Sequence, residues 1–247
     1  MSALRTVKIF VGGQAILGAA TAAMLAVRVL RLGGGRRFCQ ETLGGWAGMA
    51  LLRLSGVELR IHRAGPSPER PCFYMANHSS SLDLPVLMAL RLPDTRTFIK
   101  ERFRWFGALG TTLMLTGALF TAPQEDHERR VRRFRDAERL LRRTGESVFG
   151  SPEGTRVRPD RVPGPAIGPF NRGVFHLATA LRLPIVLILI VIPPEIDPGS
   201  GIAGKPGVVD VYVGAPIDTS GWTLDELDAN KEAVRDRFVA WSEEVRR

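Results

Sequence analysis

"FYMANHSSSLDLPVL", residues 73–87, runs from an apolar stretch through a polar island into a second apolar segment. The apolar run "CFYMA" (72–76) has the length and composition of a buried strand, and the spacing after the island fits a helix over 82–92. Were both helical, His78 and Asp83 would point about 140° apart at about 100° per residue and could not cooperate. If the strand ends near Ala76 and the helix begins near Ser80, His78 lies in an extended junction and Asp83 in the first helical turn. The two side chains can then meet. A carboxylate accepting a hydrogen bond from one imidazole nitrogen fixes the tautomer and makes the other nitrogen a better base, suited to deprotonating a hydroxyl or thiol. A plainer reading competes with this one: Ser80 and Asp83 also stand at capping-box spacing, and Asn77 and His78 suit a turn.

Outward from this junction, strands alternate with helices from residue 56 on, the signature of an α/β domain. "VELRIH" (57–62) alternates like a half-buried strand, and "TFIK" (97–100), "SVFG" (147–150), "IVLILIVI" (185–192) and "VVDVYV" (208–213) are further strand candidates. Helices fit 126–143, 172–182 and 223–246, the last opening with Thr223 and Glu226 at capping-box spacing. His176 is expected to pack within its helix. The pattern has no internal repeat and no low-complexity tract.

The N-terminal quarter differs. Residues 7–30 are mostly apolar over about the 20 residues needed to cross a bilayer, although Lys8 and Gln14 interrupt them. A shorter amphipathic stretch follows at 38–54, after the basic turn "RLGGGRR" (31–37). The simplest picture is a helical hairpin over residues 1–55 that lies in or dips into a membrane, with arginines at the headgroups, followed by a catalytic domain over 56–247. A secretory signal, with Arg5 and Lys8 before an apolar region, and two helices packed on a soluble core are the rivals.

Composition narrows the partners. Hydrophobic residues make up 45% and charged residues 24%, which fits neither a disordered tail nor a polytopic membrane protein. The 34 basic residues against 25 acidic ones leave a formal +9, favouring anionic lipid, phosphorylated substrates or nucleic acid. Aromatic residues are only 7% and no basic stretch is interleaved with them, which argues against nucleic acid. Cys39 and Cys72 lack the spacing of a zinc site or disulfide framework, and reduced, cytosolic thiols are expected. No metal requirement is visible.

Two further segments carry charge with a pattern. "VFGSPEGTRVRP" (148–159) follows a strand with a turn containing Glu153, Gly154 and Thr155, then Arg156 and Arg158. Glycine allows close backbone approach to a ligand and arginine suits bidentate phosphate recognition, while an ordinary loop with a Glu153–Arg156 ion pair explains the same residues. Residues 126–143 place Val131, Phe134 and Leu141 on one helical stripe and arginines over the rest, either a solvated basic face or a patch for an anionic membrane or phosphorylated cofactor.

Together these pieces resemble the glycerolipid acyltransferase family, most closely its 1-acylglycerol-3-phosphate (lysophosphatidic acid) acyltransferases, over roughly residues 56–217. The family's NHxxxxD motif is present as "NHSSSLD" (77–83) and its FPEGTR motif as "SPEGTR" (151–156), about 75 residues apart and in the family's order. Ser151 stands where an aromatic is usual and Val157 where a serine is frequent. The second motif, "KERFRWFGALG" (100–110), keeps Lys100, Glu101 and a glycine but lacks its proline, and Leu187 replaces a proline in the fourth. These departures bear on the acceptor more than on the chemistry.

The resemblance implies a central mixed β-sheet flanked by helices, of the glycerol-3-phosphate acyltransferase type. It implies His78 as general base toward the acceptor's hydroxyl, oriented by Asp83, and Glu153, Gly154, Thr155 and Arg156 as acceptor-binding residues, with Lys100 assisting. The donor is acyl-CoA or an acyl carrier protein, with no further cofactor. The product is phosphatidic acid, made at the cytoplasmic face of the cell membrane. Other acceptors suit the same scaffold: glycerol 3-phosphate, another lysophospholipid, or an acylated amino-acid lipid. A thioesterase or lipase with a nucleophile among Ser79, Ser80 and Ser81 is a different class, but adjacent residues rarely have the reach for such a pair and the chain lacks GxSxG. A membrane lipid-binding protein without chemistry is the third class.

Overall fold

The computed structural model describes residues 3–31, 34–65, 71–156 and 167–246. Among the described residues there are seven strands: β1 (Val57–Arg63), β2 (Phe73–Ala76), β3 (Thr95–Lys100), β4 (Leu119–Thr121), β5 (Ser147–Gly150), β6 (Ile185–Val191) and β7 (Gly207–Val213). Their order is β1-β7-β6-β2-β5-β3-β4, so chain neighbours are mostly not sheet neighbours. β2 runs parallel to both β5 and β6, pairing Tyr74 with Phe149 and with Val186. An antiparallel bridge between Ile185 and Ile217, just beyond β7, makes the sheet mixed. The helices are α1 (Ala3–Leu30), α2 (Arg36–Phe38), α3 (Gly45–Leu54), α4 (Asp83–Ala89), α5 (Gly107–Leu115), α6 (His127–Thr144), α7 (Arg172–Leu181) and α8 (Leu227–Val245). A π-helical turn over Cys39–Gly44 joins α2 to α3, and a 3₁₀ turn over Glu101–Trp105 joins β3 to α5.

The chain divides into two compact units interleaved in sequence. The first comprises Met1–Arg60, Ser80–Arg130 and Val191–Asp210. Within it α1 buries Ile9, Gly13, Leu17, Ala20 and Met24, spaced three or four apart and hence on one stripe. That stripe packs on α3 and α5, and α3 packs on α4. Thr21 Oγ1 lies 3.1 Å from the Ala108 carbonyl and 2.9 Å from Thr112 Oγ1. Arg5 donates to the carbonyls of Gly204 (3.0 Å) and Ser55 (2.8 Å). Gly48 lets α3 and α4 approach, for a Cβ there would stand 2.6 Å from the Ala89 nitrogen and 2.7 Å from the Pro85 oxygen. β3 and β4 pair in parallel, Phe98 opposite Leu119.

The second unit comprises Ile61–Ser79, Val131–Ile190 and Val211–Arg247. β2, β5 and residues 185–190 of β6 are buried throughout, as expected of parallel strands covered on both faces. α7 turns Val174, Phe175, Leu177 and Ala178 inward, and packs with α8. Phe170 lies between Phe175 and Phe238, with ring centroids 5.8 and 6.3 Å away.

Several local expectations change. His176 is exposed, because the buried stripe of α7 passes on either side of it. α8 begins at Leu227 instead of residue 223, since the Thr223 hydroxyl bonds the Glu226 carboxylate (3.0 Å) and not the backbone N–H groups that a cap would satisfy. The basic turn does not send all its arginines outward: Arg36 is largely buried, pairing with Asp94 and donating to the Thr116 carbonyl. Leu32 and Gly33 of that turn, and Val157 and Arg158 after SPEGTR, lie outside the described residues.

Candidate active site

The site begins where β2 runs out. The last β2 register pair is Ala76 with Ile188. One residue on, Asn77 keeps the ladder going with its side chain: Nδ2 donates to the Ile190 carbonyl (2.9 Å) and Oδ1 accepts the Ile190 N–H (2.8 Å). A buried amide thus satisfies two backbone groups that a further strand residue would otherwise meet. It also fixes the direction in which the chain leaves the sheet. His78 follows, half-buried, and its N–H donates to Glu153 Oε2 at 2.7 Å.

Glu153 comes from the other motif. Its second oxygen, Oε1, accepts the Gly168 N–H at 2.7 Å. The side chain is only 5% exposed, and two short bonds from N–H groups offset the cost of burying a carboxylate. The turn holding it closes with a Gly154 N–H bond to the Ser151 carbonyl (3.2 Å), and Gly154 takes φ +68°, which glycine adopts without strain. The Pro152 carbonyl accepts from both the N–H and the Nδ2 of Asn171, at 2.8 and 3.1 Å, tying the turn to the start of α7. Arg235 of α8 donates to the Gly168 carbonyl (2.9 Å), securing the far side. Thr155 is exposed and Arg156 half-buried. His78, Glu153, Gly154, Thr155 and Arg156 therefore share one unit, stitched by Glu153.

Asp83 and Lys100 belong to the first unit. The Ser80 N–H donates to Asp83 Oδ2 (3.0 Å) and Ser80 Oγ accepts the Leu82 N–H (3.2 Å), so only half of the expected capping box forms, in the turn just ahead of α4, whose N-cap is Leu82. Asp83 is 2% exposed. Ser80 Oγ also donates to Asp197 Oδ1 (2.6 Å), which accepts the Gly199 N–H (2.7 Å). The Ser81 N–H bonds the Gly199 carbonyl (2.9 Å) and its hydroxyl bonds that of Gly201. Ser80 and Ser81 are thus committed to holding the loop, which argues against either as a nucleophile. Lys100 is exposed at the end of β3, and its neighbour Glu101 is held by Arg129 through both oxygens, at 2.9 and 3.2 Å.

Asp197 carried no sequence signal, because its loop has neither period nor motif. Asn77 was visible as a motif letter, but a bond to a residue 113 positions away cannot be read from spacing.

The 1-acyl-sn-glycerol-3-phosphate acyltransferase alpha of Mus musculus is 30% identical over 195 residues, covering 78% of this chain and 66% of the mouse protein. The 1-acyl-sn-glycerol-3-phosphate acyltransferase of Limnanthes douglasii is 26% identical over 199 residues, with coverages of 78% and 66%. That of Saccharomyces cerevisiae is 25% identical over 191 residues, with coverages of 77% and 61%. The chain spans a little under two thirds of the length of these relatives. The crystal structure of the 1-acyl-sn-glycerophosphate (LPA) acyltransferase from Thermotoga maritima matches with a TM-score of 0.71 at 18% identity, over 96% of this chain and 95% of that one, a likeness of fold. The family model described as Acyltransferase matches residues 58–191, more than half of the sequence and inclusive of both NHSSSLD and SPEGTR: the chain belongs to the acyltransferase family.

Proposed function

We propose that the protein transfers an acyl chain from a thioester donor to the free hydroxyl of 1-acylglycerol 3-phosphate, giving phosphatidic acid. The observation that carries this reading is the bond from the His78 N–H to Glu153, which holds the base of one motif against the phosphate-suited turn of the other. The acceptor carries its free hydroxyl on the carbon next to the one that bears the phosphate, so base and cation must be held near each other and in fixed relation.

In the proposed reaction the His78 imidazole takes the hydroxyl proton as the oxygen attacks the thioester carbonyl. The new ester forms, the carbon–sulfur bond breaks, and the imidazolium returns its proton to the leaving thiolate. Asp83 is the proposed orienting carboxylate. Arg156 and Thr155, with Lys100 assisting, are proposed to bind the phosphate. Glu153 serves the same end indirectly, since both its oxygens are engaged by main-chain N–H groups. No cofactor beyond acyl-CoA or acyl carrier protein enters these steps.

We further propose that residues 1–55 hold the catalytic domain, 56–247, on the cytoplasmic face of a membrane, where the thioester supply is soluble and the acylated acceptor is not. α1 supports this: its 28 residues extend about 42 Å, and by length and composition it can cross a membrane. Its outward side carries Leu4, Val7, Phe10, Val11, Leu25, Val29 and Leu30. Mass spectrometry of the products of purified protein, long-chain acyl-CoA and competing acceptors tests the assignment. Phosphatidic acid as the dominant product supports it. Preferential acylation of glycerol 3-phosphate, another lysophospholipid or a lyso-aminolipid would replace the acceptor while keeping the chemistry.

A further inference from the structure

We infer that the knuckle Arg102–Phe106, between β3 and α5, is a second point of lipid contact that seats the protein on anionic headgroups; this rests on the membrane-surface reading above. Trp105 is 82% exposed and Phe106 56% exposed, adjacent in the chain. Two neighbouring aromatics left in water are unusual, and a rim of polar groups around them marks an interaction surface. Here the rim is cationic. The Arg102 guanidinium lies 5.1 Å from the Phe103 ring centroid, and that of Arg104 lies 5.9 Å from the centroids of both Trp105 and Phe120. Exposed tryptophan with arginine layered on the rings suits the headgroup zone, where the ring enters the apolar edge and the guanidinium meets phosphate.

The knuckle is held in place. The Phe106 N–H bonds the Phe103 carbonyl and the Gly110 N–H bonds the Phe106 carbonyl, each at 3.2 Å, so α5 grows directly from it. Two residues further, the Ala108 carbonyl accepts the Thr21 hydroxyl at 3.1 Å. The knuckle therefore adjoins α1 near the point where its uncovered side carries Ala22, Leu25, Ala26 and Val29. Met114 extends the apolar surface along α5. All of these residues lie within one compact unit. Continuity with the apolar side of α1, together with the arginine rim, favours a bilayer over a protein partner. Neither aromatic is among the groups proposed to act on the substrates, so the role inferred for them is one of seating.

The test uses the full chain with phosphatidylcholine vesicles containing about one-third phosphatidylglycerol. Lipids bearing a nitroxide at the headgroup should quench a component of the tryptophan emission that Trp105→Phe lacks, and vesicles should shield that component from acrylamide. The double variant Trp105→Ser/Phe106→Ser should weaken vesicle association about tenfold or more without changing thermal unfolding. Vesicle binding with Trp105 still open to acrylamide and untouched by the nitroxide would overturn the knuckle and leave the anchoring by α1 standing. Absence of vesicle binding would overturn both. Shielding of Trp105 that appears without lipid and rises with protein concentration would assign the surface to a second copy of the chain and overturn the proposal.

Discussion

Asn77 extends the sheet by one residue without being part of a strand, and this decides where His78 points. Asn77→Ala would leave the N–H and carbonyl of Ile190 without their partner in a buried setting, at about 1–3 kcal/mol for each group left unpaired. Chemical denaturation should show that loss, and acyl-transfer rates should fall with it. Glu153→Gln makes a sharper case, since an amide NH₂ must face one of two backbone donors in place of a carboxylate oxygen. About 1–3 kcal/mol of destabilisation is expected, with reduced activity even where the protein remains folded; unchanged activity would remove Glu153 from the site's support. His78 and Asp83 were legible in the sequence because a strand-to-helix junction confines polar residues to a few positions. The groups that hold their neighbours Asn77, Ser80 and Glu153 were not, because Ile190, Asp197 and Gly168 approach through the fold. Spacing left catalysis and capping as alternatives for Asp83, and the Ser80 N–H bond to Asp83 Oδ2 fixes the carboxylate ahead of α4 without completing a cap.

At the scale of elements, legibility followed amphipathicity. β2, β5 and β6 are continuous apolar runs and were found close to their observed bounds; α6 and α7 have one apolar stripe each and were found too. α5, "GALGTTLML", is apolar or small nearly all round, with no stripe to recognise, and the three residues of β4 are too short for a period. The exposed ion pairs on α6, Arg139–Asp136 and Arg142–Glu138, contribute about 0.3–0.5 kcal/mol each, so the helix is held by Phe134, Ala137 and Leu141 rather than by its charges. The α3–α4 crossing is where an element-scale substitution should matter most. Gly48→Ala would drive a methyl group into the backbone of α4, which cannot yield as a side-chain tip can. A loss of about 1–3 kcal/mol, read as a lowered Tm, is expected, and a neutral outcome would mean that the two helices separate without cost.

For the molecule as a whole, the apolar N-terminus could be recognised, but its neighbours could not. Met24, Ala47 and Leu52 are buried with the elements of the first unit, so removing residues 1–55 would strip that unit's core along with any anchor. The cleaner experiment replaces exposed Leu4, Phe10, Leu25 and Val29 by serine in the full chain. Vesicle co-sedimentation should fall while the Tm holds; full retention would detach α1 from the membrane reading. The two buried thiols report on packing, Cys39 in the first unit and Cys72 in the second. Burial raises the Cys39 thiol above its ordinary 9.0, against a smaller lowering by Arg28 and Arg31. A raised folded-state value means that this contribution to stability is present below pH 9.0 and is lost as pH rises through the folded value. Neither Cys39 nor Cys72 should react with iodoacetamide in the native protein near neutral pH, and both should react after denaturation. The strand order β1-β7-β6-β2-β5-β3-β4 had little local signature, because only β3–β4 and β6–β7 pair strands consecutive in the chain and the other pairings join distant segments. The central claim, direct transfer to a hydroxyl with His78 as base, is tested by thiol release from a long-chain acyl-CoA in mixed micelles, with and without 1-acylglycerol 3-phosphate. Release that requires the acceptor and falls about 10²–10⁴-fold in His78→Ala is the predicted result. Release that ignores the acceptor and survives His78→Ala would contradict it.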